Sequence, residues 1–320
     1  ILGKNGQLGW ELQRSLAILG EVIALDRQGS DGLSGNLSNL KGLEKTVLDL
    51  KPNVIVNAAA YTSVDEAESD TQLAQLVNSD APALLAKLSK QLGILLVHYS
   101  TDYVFNGAGD MPWVEGQEVD PLSVYGSTKA CGEQAIQSSG CEYLIFRTSW
   151  VFASKGNNFV KTMLRLASVR DSLNVITDQV GSPTSAELIA DVTAHVIPKA
   201  LNAVGRSGIY HLTASGEVSW YEYACYVIDQ ARNMGHSLQV VKVNPIPTSE
   251  YPTPAIRPLN SRLNCAKLRN TFDLHLPDLE DGVLPEDYLK KVHKAIISKQ
   301  PNWKIRRYGA LSILNFTQLL

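Results

Sequence analysis

Apolar residues in the first half of the chain come as short bursts of strand length, separated by longer stretches in which they recur every three or four positions. Strands buried on both faces read as continuous apolar runs and the helices between them bury a single stripe, so this alternation predicts a parallel sheet covered on both sides. Ile1-Leu2 ends a first strand, and Leu8, Leu12, Leu16 and Leu19 place an apolar stripe on the helix after it. Val22–Leu25 reads as the second strand and Val54–Val56, behind Pro52, as the third. A helical stretch over Thr71–Leu92 leads to a fourth strand, Ile94–Val97, which runs into Tyr99-Ser100-Thr101; Leu144–Phe146 reads as the fifth.

Beyond Arg147 the alternation weakens, and Pro and Gly clusters at Gly181–Pro183, Pro245–Pro247 and Pro252–Pro258 cut the pattern into shorter pieces. The expected organisation is an α/β, Rossmann-type doubly wound parallel sheet over residues 1–147, with later segments returning to it. A smaller, interleaved substrate lobe is expected over 148–283, and an atypical C-terminal extension over 284–320.

Composition narrows the function classes. In 320 residues, 44% are hydrophobic, 19% are charged and the net charge is -3, which suits an ordinary globular chain able to bury a large core. Lys and Arg form no stripe, so no nucleic-acid partner is expected, and the longest apolar runs are too short to span a bilayer. The four cysteines, Cys131, Cys141, Cys225 and Cys265, lie far apart without disulfide or zinc spacing, which fits a reducing cytoplasm. Ile1 is no initiator, and it reads as a strand already under way, so residues are expected upstream.

Gly3, Gly6 and Gly9 stand at the junction of the first strand and first helix, where a dinucleotide pyrophosphate needs bare backbone and a helix N-terminus. Asp26 falls directly after the second strand, the position from which a carboxylate accepts hydrogen bonds from ribose hydroxyls. It would repel the 2′-phosphate of NADPH, whereas neighbouring Arg27 could pair with it, so both NADPH and NADH stay open. Asn57-Ala58-Ala59-Ala60 offers small side chains at the end of the third strand, as a cofactor lying close to the backbone would need.

Tyr125 and Lys129 are one helical turn apart if Val124–Ser138 is helical, which puts them on one face about 6 Å apart. A phenol with an ordinary pKa near 10 is a poor acid at neutral pH, and a close ammonium is expected to lower it. Tyr125 then reads as the general acid that protonates a carbonyl oxygen as hydride reaches the carbon, with Lys129 as its partner. A hydroxyl is still needed to hold that oxygen, and the period of a strand does not choose between Ser100 and Thr101. Asp102 reads equally as a substrate ligand or as a turn acid.

The segments Gly3–Gln13, Val56–Glu68, His98–Phe105, Val124–Glu133, Arg147–Phe152, Gly156–Leu164, Asp178–Thr184 and Arg257–Leu263 together resemble the extended short-chain dehydrogenase/reductases. Within that family the likeness is to the branch that reduces the C4 ketone of dTDP-4-dehydro-L-rhamnose, and it covers nearly everything up to about Asp278. The resemblance implies Tyr125 as proton donor, Lys129 as its partner and ribose anchor, and Thr101 as the third catalytic member. It implies dinucleotide contacts from Gly6-Gln7-Leu8, Asp26, Asn36-Leu37, Ala60-Tyr61-Thr62 and Tyr99, and substrate contacts from Thr101, Asp102 and Trp150. Arg257 and Arg262 become candidates for the substrate's pyrophosphate, against surface ion pairing as the competing reading.

Family members also include homodimers with Mg2+ held between subunits by glutamates. Glu11 and Glu187 match two such positions and no third carboxylate does, so no metal ligand set is predicted. Two other activities are compatible with the same fold: a reductase or epimerase of another nucleotide sugar, and a noncatalytic NADP-binding regulatory subunit.

Overall fold

The computed structural model describes residues 1–203 and 205–277, so the extension expected over 284–320 lies outside the described residues. Leu2 makes single parallel bridges to Leu25 on one side and to Asn57 on the other. Around it the chain builds α1 (Gln7–Leu16), α2 (Leu40–Leu50), β1 (Val54–Asn57), two short helices α3 (Val64–Ala67) and α4 (Thr71–Gln75), then α5 (Ala81–Leu92), β2 (Leu95–Thr101), α6 (Val124–Ser139) and β3 (Glu142–Thr148). The second half runs through β4 (Val151–Phe152), α7 (Phe159–Ala167), β5 (Ser172–Ile176), β6 (Val180–Gly181), β7 (Thr184–Ser185), α8 (Ala186–Leu201) and β8 (Gly208–His211). It closes with β9 (Val218–Ser219), α9 (Trp220–Asn233), β10 (Lys242–Ile246), β11 (Asn260–Ser261) and α10 (Ala266–Phe272).

The central sheet has the order β1-β2-β3-β8, parallel throughout. With the two bridges, the order across the molecule is Leu25, Leu2, β1, β2, β3, β8. The chain steps outward from Leu2 to Leu25 and then returns past Leu2 to β1. Its winding therefore reverses between Leu2 and β1, and the carboxyl ends of strands at such a reversal leave the crevice in which open α/β sheets hold ligands.

Leu12 and Leu16 of α1 are buried in one apolar cluster with Val97, Phe146, Ile189, Val196, Tyr210 and Phe272, so α8, β8 and α10 help to complete the core of the first sheet. The expected stripe stops short, because α1 ends at Leu16 and Leu19 sits exposed in the turn after it. A second cluster draws only on residues 152–240, with Phe152, Val160, Leu164, Leu173, Tyr223 and Val227 among its buried members.

The helix expected over Thr71–Leu92 is three pieces, because a π turn at Leu76–Asp80 separates α4 from α5. Pro82 has no N–H to return to the carbonyl of Asn78, four residues back, so an unbroken α-helix cannot pass this point with its bonds intact. The widened turn brings Asn78 against α6, where a Cβ on Gly132 would lie 2.2 Å from the Asn78 carbonyl oxygen. Among the described residues, no helix is long and apolar enough to cross a membrane.

Candidate active site

At the winding reversal, Gly3 adopts φ +88°, and a Cβ there would stand 2.9 Å from the backbone N of Ala59. Only glycine lets the two strand ends approach this closely. Gly9 has the same origin, since a Cβ on it would fall 2.0 Å from the Gly3 carbonyl oxygen, so α1 can dock onto the loop only with hydrogen at this position. Gly6 is the N-cap of α1 and supplies no side-chain cap, and no acidic residue occupies the first turn. The N–H groups and positive end of the helix are thus left for an anion. Leu8 packs against the core from the next turn. Gln7 Oε1 accepts from Asn158 at 3.0 Å, tying the glycine loop to the segment after β4. These residues fit a dinucleotide pyrophosphate.

The expected second strand is reduced to a single bridge residue, Leu25, because only Leu25 pairs with Leu2; Asp26 follows it beside the glycine loop. It accepts from Asn5 Nδ2 at 2.7 Å and from the backbone N–H groups of Gln28 and Gly29, with Lys4 Nζ 3.7 Å away. Partial burial raises its pKa, but Lys4 and the three donors outweigh this and hold it below the ordinary value. Leu37 is buried in the core beneath this loop with Leu25 and Leu43, and the Asn36 side chain accepts from the backbone and hydroxyl of Ser38. Tyr61 is held by its backbone, since its N–H donates to Asn78 Oδ1 at 2.8 Å and its carbonyl accepts from Asn78 Nδ2 at 3.1 Å. Ala60 and Thr62 flank it at the crevice edge of β1. The Tyr99 ring instead points into the core, its hydroxyl 2.8 Å from Thr193 Oγ1, so only its backbone faces the site.

Thr101 ends β2, and its Oγ1 donates to Asp102 Oδ1 at 3.1 Å while accepting from the Tyr103 N–H at 3.2 Å. The Tyr125 phenol lies close enough to Thr101 for that hydroxyl to favour its ionised form. Ser100 points elsewhere; its buried Oγ has no partner among the described residues. Ser123 caps α6 by accepting from the Gly126 N–H, which fixes the turn that presents Tyr125.

Lys129 lies one turn along α6, as its spacing requires, but its Nζ engages the Tyr99 carbonyl at 2.6 Å and His98 Nε2 at 3.1 Å. The expected lowering of Tyr125 by that ammonium is absent. Burial pushes the phenol up to about 12, Thr101 draws it partly back, and the nearby Asp102 raises it. Burial also lowers Lys129 to about 8, against the opposing charge of Glu133.

Trp150 was not recoverable from spacing, and the structure gives it two marks of a constrained position. Its φ is +48°, a left-handed backbone that a bulky residue adopts only when its surroundings enforce it. Its ring stacks on Trp220 with centroids 3.5 Å apart, and it lies so close over Gly181 that a Cβ there would meet it at 2.8 Å. That Cβ would also stand 3.1 Å from the Cβ of Ser261, a residue close enough to Asp102 to lower its pKa. Gly181, Ser261 and Trp220 make up this wall with Trp150. No periodicity marks them, because β6 and β11 are two residues long.

Asp102 is buried, and burial raises its carboxyl to about 7 although Ser261 and the Thr101 hydroxyl that donates to it pull the other way; its Oδ2 has no partner among the described residues. The folded state thus binds this proton more tightly than the unfolded chain. The stability it contributes is complete below the ordinary carboxylate range and is lost as pH rises toward 7. Asp102→Asn has no such loss. Its Tm is expected to exceed the wild-type value at pH 8 by the equivalent of a few kcal/mol at most, with the gap closing by pH 4. Thermal melts at both pH values check this, and a gap independent of pH contradicts it.

Both candidate arginines are in ion pairs. Arg257 grips Asp65 through two bonds of 3.0 and 2.7 Å, and Arg262 Nε lies 2.8 Å from Glu217. Glu11 is buried on α1 with Arg14 3.6 Å away, and no group of three or more metal-ligating side chains occurs among the described residues. The described residues thus offer no ligand set for the Mg2+ that the resemblance implies.

Residues 1–293 match the model of the RmlD substrate binding domain. The chain is 55% identical over 283 residues to the dTDP-4-dehydrorhamnose reductase of Salmonella typhimurium, covering 88% of this chain and 94% of that one. A crystal structure of a dTDP-4-dehydrorhamnose reductase from Clostridium acetobutylicum superposes with a TM-score of 0.81 at 37% identity, over 91% of this chain and 98% of that one. The Bacillus anthracis dTDP-4-dehydrorhamnose reductase, solved in complex with NADP, gives 0.80 at 33% identity, over 91% and 97%. With a family model spanning most of its length and a relative above half identity over nearly all of that relative, the chain belongs to the RmlD family of dTDP-4-dehydrorhamnose reductases.

Proposed function

We propose that this protein reduces the C4 ketone of dTDP-4-dehydro-L-rhamnose to dTDP-L-rhamnose, with Tyr125 as proton donor, Thr101 and Lys129 as its partners, and NADPH or NADH as reductant. The observation that carries this reading is the placing of Tyr125, on the first turn of α6, beside Thr101 at the carboxyl end of β2 and the dinucleotide crevice. When bound, the dinucleotide supplies the hydride. Tyr125, held up at about 12, keeps its proton throughout the physiological range and so can deliver it to the C4 oxygen. The Thr101 hydroxyl hydrogen goes to Asp102, so to donate to the same oxygen it turns from that carboxyl once the ketone is bound. The Trp150 face gives the C6 methyl an apolar surface.

Asp26 suits ribose hydroxyls, while Lys4 and the exposed Arg27 beside it suit a 2′-phosphate, which supports use of both NADPH and NADH. The test follows loss of reduced-nicotinamide absorbance with the keto-sugar nucleotide, alongside thermal shifts with a panel of nucleotide sugars. Turnover of the dTDP sugar together with stabilisation by dTDP-L-rhamnose is expected. Turnover or stabilisation only with a different nucleotide sugar overturns the substrate assignment.

A further inference from the structure

Behind the reactive face, Asn57, His98 and Lys129 form one line of hydrogen bonds, and each of the three side chains is about 1% exposed. The direction of the donors along this line follows from its two ends. At one end the backbone N–H of Ala59 reaches Asn57 Oδ1 at 3.2 Å. A backbone N–H can only donate, so Asn57 must turn its oxygen to Ala59 and its NH2 to His98 Nδ1, 3.1 Å away. His98 then accepts at Nδ1 and, as a neutral ring, carries its proton on Nε2. That proton faces Lys129 Nζ at 3.1 Å. At the other end the Tyr99 carbonyl can only accept, and it takes an N–H of Lys129 at 2.6 Å.

An amine satisfies both neighbours, with a lone pair toward His98 and a hydrogen toward Tyr99. An ammonium does not. It either sets one of its hydrogens against the His98 Nε2–H, or forces the ring to the other tautomer and sets that ring's Nδ1–H against the Asn57 NH2. A donor opposed to a donor in a buried site leaves both unsatisfied, which is costly.

We propose that Asn57 and His98 are positioning residues that acidify Lys129, the one-way donor order Ala59, Asn57, His98, Lys129, Tyr99 favouring its uncharged form. This rests on the assignment of Lys129 to the reactive site above. The consequence is that the charge on Lys129 is conditional, gained most readily when negative charge develops nearby, rather than fixed as on a surface lysine.

The other ionisable groups around Lys129 do not produce this effect. Glu133, further along α6, favours the ammonium, and its carboxylate is already bound by Arg147 of β3. Tyr125, one turn back, is a neutral phenol, and Asp102 lies beyond it on the far side of Thr101. His98 is pushed well below its ordinary range, first by burial and then by Lys129, in keeping with a neutral ring.

Histidine ring 15N NMR of the wild-type protein tests the wiring directly. Among the six histidines, the His98 signal is the one lost in His98→Gln, and it should show the Nε2–H tautomer between pH 6 and 8. Asn57→Asp reverses the line, because a carboxylate accepts from Ala59 and from His98 Nδ1–H alike and frees Nε2 to accept from the ammonium. The ring should change tautomer, and the basic limb of dinucleotide binding against pH should move up by about one pH unit or more.

His98→Gln, whose amide oxygen can turn to the ammonium, should move the limb the same way. It does so independently of whether the Asp variant folds. Damage to packing alone would weaken binding at every pH without moving the limb. An Nδ1–H tautomer in the wild type, or an unmoved limb in the folded variants, overturns the proposal. Both readouts dispense with the sugar substrate, so neither depends on which sugar is reduced.

Discussion

Tyr125→Phe is expected to lower kcat by a factor on the order of 10² to 10⁴, the usual contribution of a positioned proton donor, while Tm and dinucleotide affinity stay close to wild type. The ring is retained in its edge-on contact with Tyr103, 5.6 Å between centroids, so packing at the start of α6 survives. What is lost is one hydroxyl beside Thr101, and Thr101 still donates to Asp102. A net cost near 1 kcal/mol follows, too small to unfold the protein. Because burial holds the Tyr125 phenol at about 12, its ionisation should not shape the wild-type rate below about pH 10. Any basic limb seen earlier belongs to another group, and Lys129, lowered to about 8, is the first candidate. A kcat within twofold of wild type would remove Tyr125 from the chemistry.

The placing of Tyr125 and Lys129 one turn apart was legible because helical spacing is local, and α6 forms where the pattern places it. The partners of the Lys129 side chain were not, since they depend on which β2 residues the helix crosses, a matter of packing between elements distant in sequence. The same distinction runs through the fold. Strands β1, β2 and β3 were marked by apolar runs, whereas the second half, with two-residue strands at β4, β6, β7, β9 and β11, is too broken to show a period. Leu19 matched the stripe of α1, yet the helix ends before reaching it. The glycine loop could be read because its geometry forbids side chains. Trp150 could be placed only by resemblance, and its strained backbone and its stack on Trp220 became visible only in three dimensions.

Glu133→Leu is expected to cost about 3–5 kcal/mol of stability, because it strands Arg147 in the interior. Both side chains are 2% exposed, and the guanidinium meets the carboxylate through Nε at 3.0 and 3.1 Å and through a terminal nitrogen at 2.6 Å. The face of Phe105, 4.9 Å away, and a long 3.5 Å contact with the Glu115 carbonyl cannot replace that carboxylate. Such a loss is a large part of the 5–15 kcal/mol that holds a typical protein folded, and it should appear as a fall in Tm of several degrees to more than ten. Removing both charges is a different matter. Glu133→Leu combined with Arg147→Met leaves no orphaned ion and should recover most of the loss, since a buried pair roughly offsets its own desolvation. A double variant no more stable than Glu133→Leu alone would contradict this account. The pair joins α6 to β3 while Lys129 joins α6 to β2, so the helix that carries Tyr125 is anchored to two adjacent strands by buried polar groups that tolerate no slip in register. Recovery of stability in the double variant without recovery of kcat would show that the ion pair serves the placement of Tyr125 rather than the persistence of the fold.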